Sequence, residues 1–351
     1  MGNTVLSIIV PAYNSASTLE RCLDSFLVPE LFNSIEVYVV SDGSKDSTAA
    51  IAQTYVDRYP CFNLISKQNG GHGSVINTAV NILGGKYFKV IDSDDWVRTE
   101  NLSAFVSSLE VLDADVVFTH FRTVDSRDGH QREYRISGVE FGKVYSFDDY
   151  WRHKQDVFQA CCFHGITYST DFYKSCGVKL SEGISYEDQE YSTLPFANVR
   201  KVAALDLFLY EYSIGDPNQS MSDANQVKRL NQREQVLWKL LDAAPTNLSY
   251  TATDYFLFKN REFLLSFFMA ALVKNPNKRG GRKITRRLRQ QLNERRRFAL
   301  LKAARVPYAV CLFMSYFGRL GNALLELRRF GAMQSLAVCI RGGSKINALR
   351  G

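Results

Sequence analysis

Three carboxylates fall within four residues at Asp92-Ser93-Asp94-Asp95, directly after the apolar run 87–91. Like charges this close repel strongly unless a counter-ion neutralises them. A hard divalent cation, Mg²⁺ or Mn²⁺, does so by taking carboxylate oxygens and completing its shell with phosphate and water. A solvated acidic turn, with Asp94 or Asp95 capping the next helix, explains the same residues without a metal. Two more polar clusters follow apolar runs: Pro11-Ala12-Tyr13-Asn14 after 6–10, and Ser41-Asp42-Gly43-Ser44-Lys45-Asp46-Ser47 after 35–40. Gly43 allows a tight turn, and a helix N-terminus beyond it exposes backbone N–H groups that can hold a base or a phosphate. Asp46 or Ser47 as a plain N-cap accounts for that cluster equally well. Together, three polar exits from neighbouring strands favour a nucleotide site.

Such exits need a scaffold that lines up strand ends. The first 120 residues alternate short β-branched runs with amphipathic stretches, which predicts strands at 6–10, 35–40, 62–66, 87–91 and 115–119 and helices at 17–27, 44–59, 74–82 and 101–112. This alternation implies an α/β chain with a parallel, doubly wound sheet whose ligands sit at the carboxyl ends of the strands. The pattern weakens over 124–145, and 147–191 mixes aromatic with polar residues without a clean period. Helices are expected at 227–241 and 255–273, before Asn275-Pro276-Asn277 breaks the chain.

The chain of 351 residues is 46% hydrophobic and 23% charged, an ordinary globular composition with room for one large domain and an appended segment. Its seven cysteines, Cys22, Cys61, Cys161, Cys162, Cys176, Cys311 and Cys339, are odd in number and show no C-x-x-C spacing. They read as thiols in a reducing compartment, neither a disulfide framework nor a zinc site. No basic leader or cleavage site precedes the first strand, so a cytoplasmic protein is expected. The net charge of +7 conceals an asymmetry: residues 1–277 carry −9 and residues 278–351 carry +16. Separation of this kind suggests an anionic partner for the C-terminal segment.

Pro11-Ala12-Tyr13-Asn14, Asp42-Gly43-Ser44, Asn69-Gly70-Gly71 before a helix carrying Asn77, Asp92-Ser93-Asp94-Asp95-Trp96 and Tyr186-Glu187-Asp188-Gln189-Glu190-Tyr191 occur in this order. The set resembles family 2 glycosyltransferases over roughly residues 4–215, in particular those of bacterial cell-surface polysaccharide or teichoic-acid synthesis. The resemblance implies a glycosyltransferase A-type (GT-A) fold. It also implies a nucleoside diphosphate sugar donor, usually a UDP-sugar, and a metal held by Asp92, Asp94 and Asp95. By the same resemblance Pro11, Ala12, Tyr13 and Asn14 line the nucleoside pocket, Asp42 contacts the base, and Asn69, Gly71, His72, Asp92 and Ser93 complete donor binding. Asp188, with Glu187 beside it, corresponds to the family's catalytic base element. Ser41 stands where the family often has a second aspartate, and His72 replaces a more usual residue. The organisation that follows is a catalytic domain over 1–220, with 1–120 binding the nucleotide sugar and 121–220 facing the acceptor. A helical extension over 221–277 and a basic amphipathic helical segment over 278–351 complete the chain.

Transfer needs a stabilised diphosphate leaving group and a nucleophilic hydroxyl. The metal serves the first need and a carboxylate on the opposite face of the sugar the second, so one displacement inverts the anomeric centre. The expected acceptor is a saccharide, a polyol phosphate or a lipid-linked species. His164, a lone histidine beside apolar residues, reads as core. Residues 278–305 hold twelve Lys+Arg against the single acid Glu294, ahead of an apolar run at 306–317 that is too short to span a bilayer. Residues 278–317 are therefore expected to lie on an anionic membrane surface at the inner face of the plasma membrane, or to pack on the catalytic domain with a basic outer face. Nucleic acid ranks lower, since no aromatic platform interleaves the basic core. Among rival activities, a nucleotidyltransferase wants a Gly-rich, basic loop after the first strand, and here no basic residue precedes Arg21. A dehydrogenase wants G-x-G-x-x-G there. A non-catalytic scaffold of the same fold is the remaining alternative.

Overall fold

Strand β1 (Leu6–Ala12) is buried along its whole length, as befits an Ile- and Val-rich run covered on both faces. It pairs in parallel with β2 (Ile35–Asp42) on one side and β4 (Tyr87–Val90) on the other, and β3 (Phe62–Lys67) extends the parallel set beyond β2. The intervening segments carry helices α1 (Leu19–Asp24), α2 (Thr48–Arg58) and α3 (His72–Ala79). Ala12 lies beside Ser41 and Ile9 beside Val90, so the chain leaves β1, β2 and β4 at the same edge of the sheet.

The computed structural model describes residues 4–216, 222–244 and 247–317. Cys339 and the expected helical segment beyond residue 317 lie outside the described residues. Contacts divide the chain into Met1–Gln219 with Trp238–Phe256, and Ser220–Leu237 with Leu257–Gly351.

After β4 come the two-residue β5 (Trp96–Val97), helix α4 (Thr99–Val111), β6 (Val116–Asp125), β7 (Gln131–Tyr134), β8 (Val144–Ser146), β9 (Ile166–Ser169) and the long β10 (Lys201–Ile214). The sheet runs β3-β2-β1-β4-β9-β6-β10-β5, with β7 beside β6 and β8 beside β10. The expected doubly wound α/β sheet is present. It turns mixed where β9 inserts antiparallel between β4 and β6, while β10 returns parallel to β6. Neither β9 nor β10 stood out in the sequence. β9 is only four residues long, and the register of β10 shifts twice between Leu205 and Tyr210, which spoils the two-residue alternation.

In the second unit the helix Lys278–Glu294 starts at Asn277, whose side chain accepts from Gly280 N at 2.8 Å. Gly281, Thr285, Leu288 and Leu292 are buried at helical spacing, and most of the basic residues lie on other faces. Two shorter helices, Phe298–Ala303 and Arg305–Tyr316, follow. No disulfide joins the six cysteines among the described residues.

Candidate active site

The acidic turn after β4 splits into outward and inward carboxylates. Asp92 and Asp94 are half-buried, and potential ligand atoms of Asp92, Asp94 and Asp95 lie within 4.8 Å of one another. Asp95 is fully buried: one oxygen accepts from Tyr210 Oη at 2.6 Å and the other from Ser213 N at 2.7 Å. Burial, followed by the charges of Asp94 and Asp92, pushes its carboxyl well above the usual range. Tyr210 Oη also accepts from Asp92 N, so β10 holds the turn at two points. Arg21 donates to Asp94 O at 2.7 Å while its guanidinium lies 4.0 Å from the Trp96 ring centre, and the Ser15 and Ser93 hydroxyls meet at 2.7 Å. The N-cap of α4 is Arg98 and β5 intervenes, so the turn does not owe its acids to helix capping. An all-carboxylate donor set suits a hard divalent cation.

At the β1 exit, Pro11 and Ala12 are buried strand residues, whereas Tyr13 is 50% exposed and presents its ring. Asn14 adopts φ 51°, donates its N–H to Ser44 Oγ and accepts from Lys45 N, which ties the exits of β1 and β2 together. Asp46 accepts from Thr48 N and from Ala16 N, so it ties the segment before α2 to the first loop. Asp42 is buried and its oxygens accept from Lys67 Nζ, Gly70 N and Gly71 N at 2.7–2.9 Å. Asp42, expected at the base, also serves as the post on which the loop 68–71 hangs, with three donors converging on its carboxyl oxygens.

That loop is joined to the segment 179–190 from far along the chain. Gly183 N donates to Gly70 O at 2.7 Å, and the Asn77 amide pairs with Leu180 N and O and with Glu182 at 2.9–3.0 Å. Gly71 has φ 83°, and a Cβ on Gly73 would lie 2.2 Å from Ser181 O, so neither glycine tolerates a side chain. On the far side Glu190, fully buried, accepts from Ser181 N and Oγ and forms a 2.7 Å ion pair with Lys239. The acidic hexamer is thus not a solvated face: Tyr186, Glu187, Glu190 and Tyr191 are all buried.

His72, at the first position of α3, bridges the two sides. Its Nδ1 lies 2.6 Å from Glu187 Oε1 and its Nε2 2.9 Å from Asp92 Oδ1. Burial alone would lower the imidazole, but Asp92 and then Glu187 hold it well above its ordinary value, so both nitrogens carry protons and donate. Asp188 opens the helical turn Asp188–Tyr191, half-buried, with one oxygen accepting from Gln189 Nε2 at 2.8 Å. It follows Tyr186, whose φ of 75° is rare for a bulky residue.

Several residues pack around the site beyond those singled out for it from the sequence, among them His164, which was read as core. His164 stacks on Tyr212 with ring centres 4.1 Å apart and packs edge-on to Tyr210. Burial lowers it to about 4, so it is neutral. Beneath it the fully buried Lys89 donates to the carbonyls of His164 and Ile166, and burial lowers it to about 7. A lysine inside the apolar run 87–91 was the one available clue. Tyr210, Ser213 and Lys239 carry none, since their roles depend on partners far away in sequence.

Residues 7–177 match the family model described as glycosyl transferase family 2. Glycosyltransferase GlyA of Streptococcus pneumoniae serotype 4 is 25% identical over 215 residues, which cover 60% of this chain and 30% of that protein. The uncharacterized glycosyltransferase EpsJ of Bacillus subtilis strain 168 is 27% identical over 212 residues, covering 59% of this chain and 60% of the relative. The chain therefore spans less than two thirds of either relative. Among solved structures, S. aureus TarS 1–349 in complex with UDP-GlcNAc superposes with a TM-score of 0.63 at 18% identity, covering 89% of this chain and 90% of that one. The fold is accordingly of the GT-A type.

Proposed function

We propose, from the match of residues 7–177 to the model described as glycosyl transferase family 2, that the chain moves a sugar from a nucleoside diphosphate to an acceptor hydroxyl with inversion. The observation that carries this is the His72 bridge. It draws Glu187, 115 positions away, against Asp92, so the base element and the acidic turn face one space. TarS was solved with UDP-GlcNAc, which favours a UDP-sugar as donor. The acceptors that follow from the motif resemblance to cell-surface polysaccharide synthesis are a saccharide, a polyol phosphate or a lipid-linked glycan precursor, met at the cytoplasmic face of the membrane.

In this mechanism Tyr13 stacks on the base and Asn14 sets the angle of its loop. Asp42 acts through Asn69, Gly70 and Gly71, whose backbone forms the floor under the nucleoside. Asp92 and Asp94 would hold Mg²⁺ or Mn²⁺, and Asp95, committed to Tyr210 and Ser213, orients them. When bound, the ion supplies Lewis-acid neutralisation of the departing diphosphate. The His72 imidazolium, bonded to Asp92 at the start of α3, adds positive charge where the phosphate oxygens lie. Asp188 takes the acceptor proton. An aspartate of ordinary basicity suffices because the hydroxyl acidifies as its bond to the anomeric carbon forms. Glu187, tied to His72, fixes the height of Asp188 above the sugar.

A panel of UDP- and GDP-sugars with Mn²⁺ or Mg²⁺ tests this. Metal-dependent release of one nucleotide is expected. Asp94→Ala should abolish the metal dependence, and Asp188→Asn should cut turnover by about 100-fold or more with nucleotide binding intact. Absence of any metal-dependent nucleotide binding would defeat the proposal.

A further inference from the structure

Among the described residues, five large apolar side chains that are each more than half exposed crowd into one stretch: Phe298, Val306, Phe313, Tyr316 and Phe317. The helices Phe298–Ala303 and Arg305–Tyr316 sort their residues cleanly. Leu300, Ala304, Pro307, Cys311 and Met314 are buried, whereas Phe298, Lys302, Val306, Ala309 and Phe313 are exposed. Within each helix, steps of three and four place the exposed residues on one face, Phe298 with Lys302 in the first and Val306 with Ala309 and Phe313 in the second. Arg305 is exposed beside Val306, and Arg295 and Arg296 are exposed just ahead of Phe298. Residues 278–317 as a whole carry twelve Lys+Arg and one acid, Glu294.

A basic face alone fits any polyanion, and an apolar face alone fits another protein. Interleaving the two fits a bilayer interface, where aromatic and aliphatic groups enter at the headgroup level while Lys and Arg stems extend their charges to lipid phosphates. A nucleic acid would engage the cations but leave Val306 and Phe313 in water. No helix among the described residues is long and apolar enough to cross a membrane, so a bilayer that met this face would meet it at its surface. We propose that residues 295–317 dock the protein onto an anionic bilayer through this mixed face. Cations near such a leaflet contribute additively, and Arg295, Arg296, Lys302 and Arg305 together amount to about a thousandfold in partitioning at moderate salt. The inference does not rest on the transferase activity: sugar transfer plays no part in its test, so either can fail alone.

The test is flotation of the full-length protein with phosphatidylcholine vesicles, with and without one-third phosphatidylglycerol. Binding is expected to the anionic vesicles and to be at least about a hundredfold weaker without them. Combined Arg295→Gln, Arg296→Gln, Lys302→Gln and Arg305→Gln should abolish it, and Phe298→Ser with Phe313→Ser should weaken it about tenfold or more. F298W should shift its emission to the blue on anionic vesicles. Unchanged thermal unfolding verifies that the variants fold. Failure of the wild type to float overturns the inference and leaves the face to residues 318–351 or to a second copy of the chain. Undiminished binding by the Phe298→Ser/Phe313→Ser variant, with no blue shift of F298W, also overturns it, in favour of a general polyanion site.

Discussion

The three strand exits that face the proposed nucleotide all belong to the first 96 residues and are lined up by the parallel register of β1, β2 and β4. The loop 179–191 reaches the same place by side-chain bonds to Asn77, His72 and Lys239. One half of the site is positioned by backbone ladders that many residues share, the other chiefly by a few polar side chains, with Gly183 N bonded to Gly70 O. The half that carries the proposed base should therefore be the fragile one, and substitutions can break or sharpen that contrast.

The largest effect is expected from Lys239→Met, which leaves the buried Glu190 carboxylate without its cation. Loss of about 3 kcal/mol in urea unfolding is expected, and a loss below about 0.5 kcal/mol would mean that the loop supports itself. Next comes Gly73→Ala, whose new Cβ would press on Ser181 O and on Glu187 Cγ. It should cost about 1–3 kcal/mol and lower kcat more than tenfold with a smaller change in donor KM. A raised KM at unchanged kcat would place the damage on the donor side and break the contrast.

A third effect depends on pH. His72 is held above its ordinary value, so the stability from its bridge is fully present below about 6.5 and is lost as pH rises through the raised value. In metal-free protein the unfolding free energy should fall over that range, and His72→Gln should flatten the slope. An unchanged slope in the variant would show that the bridge does not join the two halves. The smallest effect is expected on the register-built side, where Ser93→Ala removes only the hydroxyl contact with Ser15 and should cost less than about 1 kcal/mol.

The same division governs what was readable in advance. The apolar runs of β1 to β4 and the polar residues that end them are contiguous, so Tyr13, Asn14, Asp42 and the acidic turn were found as motifs with their strands already attached. β9 and β10 were not found, and with them went Tyr210 and Ser213. The basic character of residues 278–317 was plain from composition, whereas the apolar face that shares it emerged only once helical exposure separated Phe298 and Phe313 from Leu300 and Met314.

By itself the sequence determined which strands exist at the donor side, their order and the polar residues that follow them, because local propensity and a parallel register act on neighbouring residues. Tertiary structure decided what each acid does. Asp95 turns inward to Tyr210, Asp42 holds a loop, Glu187 meets His72 and Glu190 meets Lys239. A carboxylate's role follows from the donors and the burial around it, and here the chain brings those donors from as far as 118 positions away.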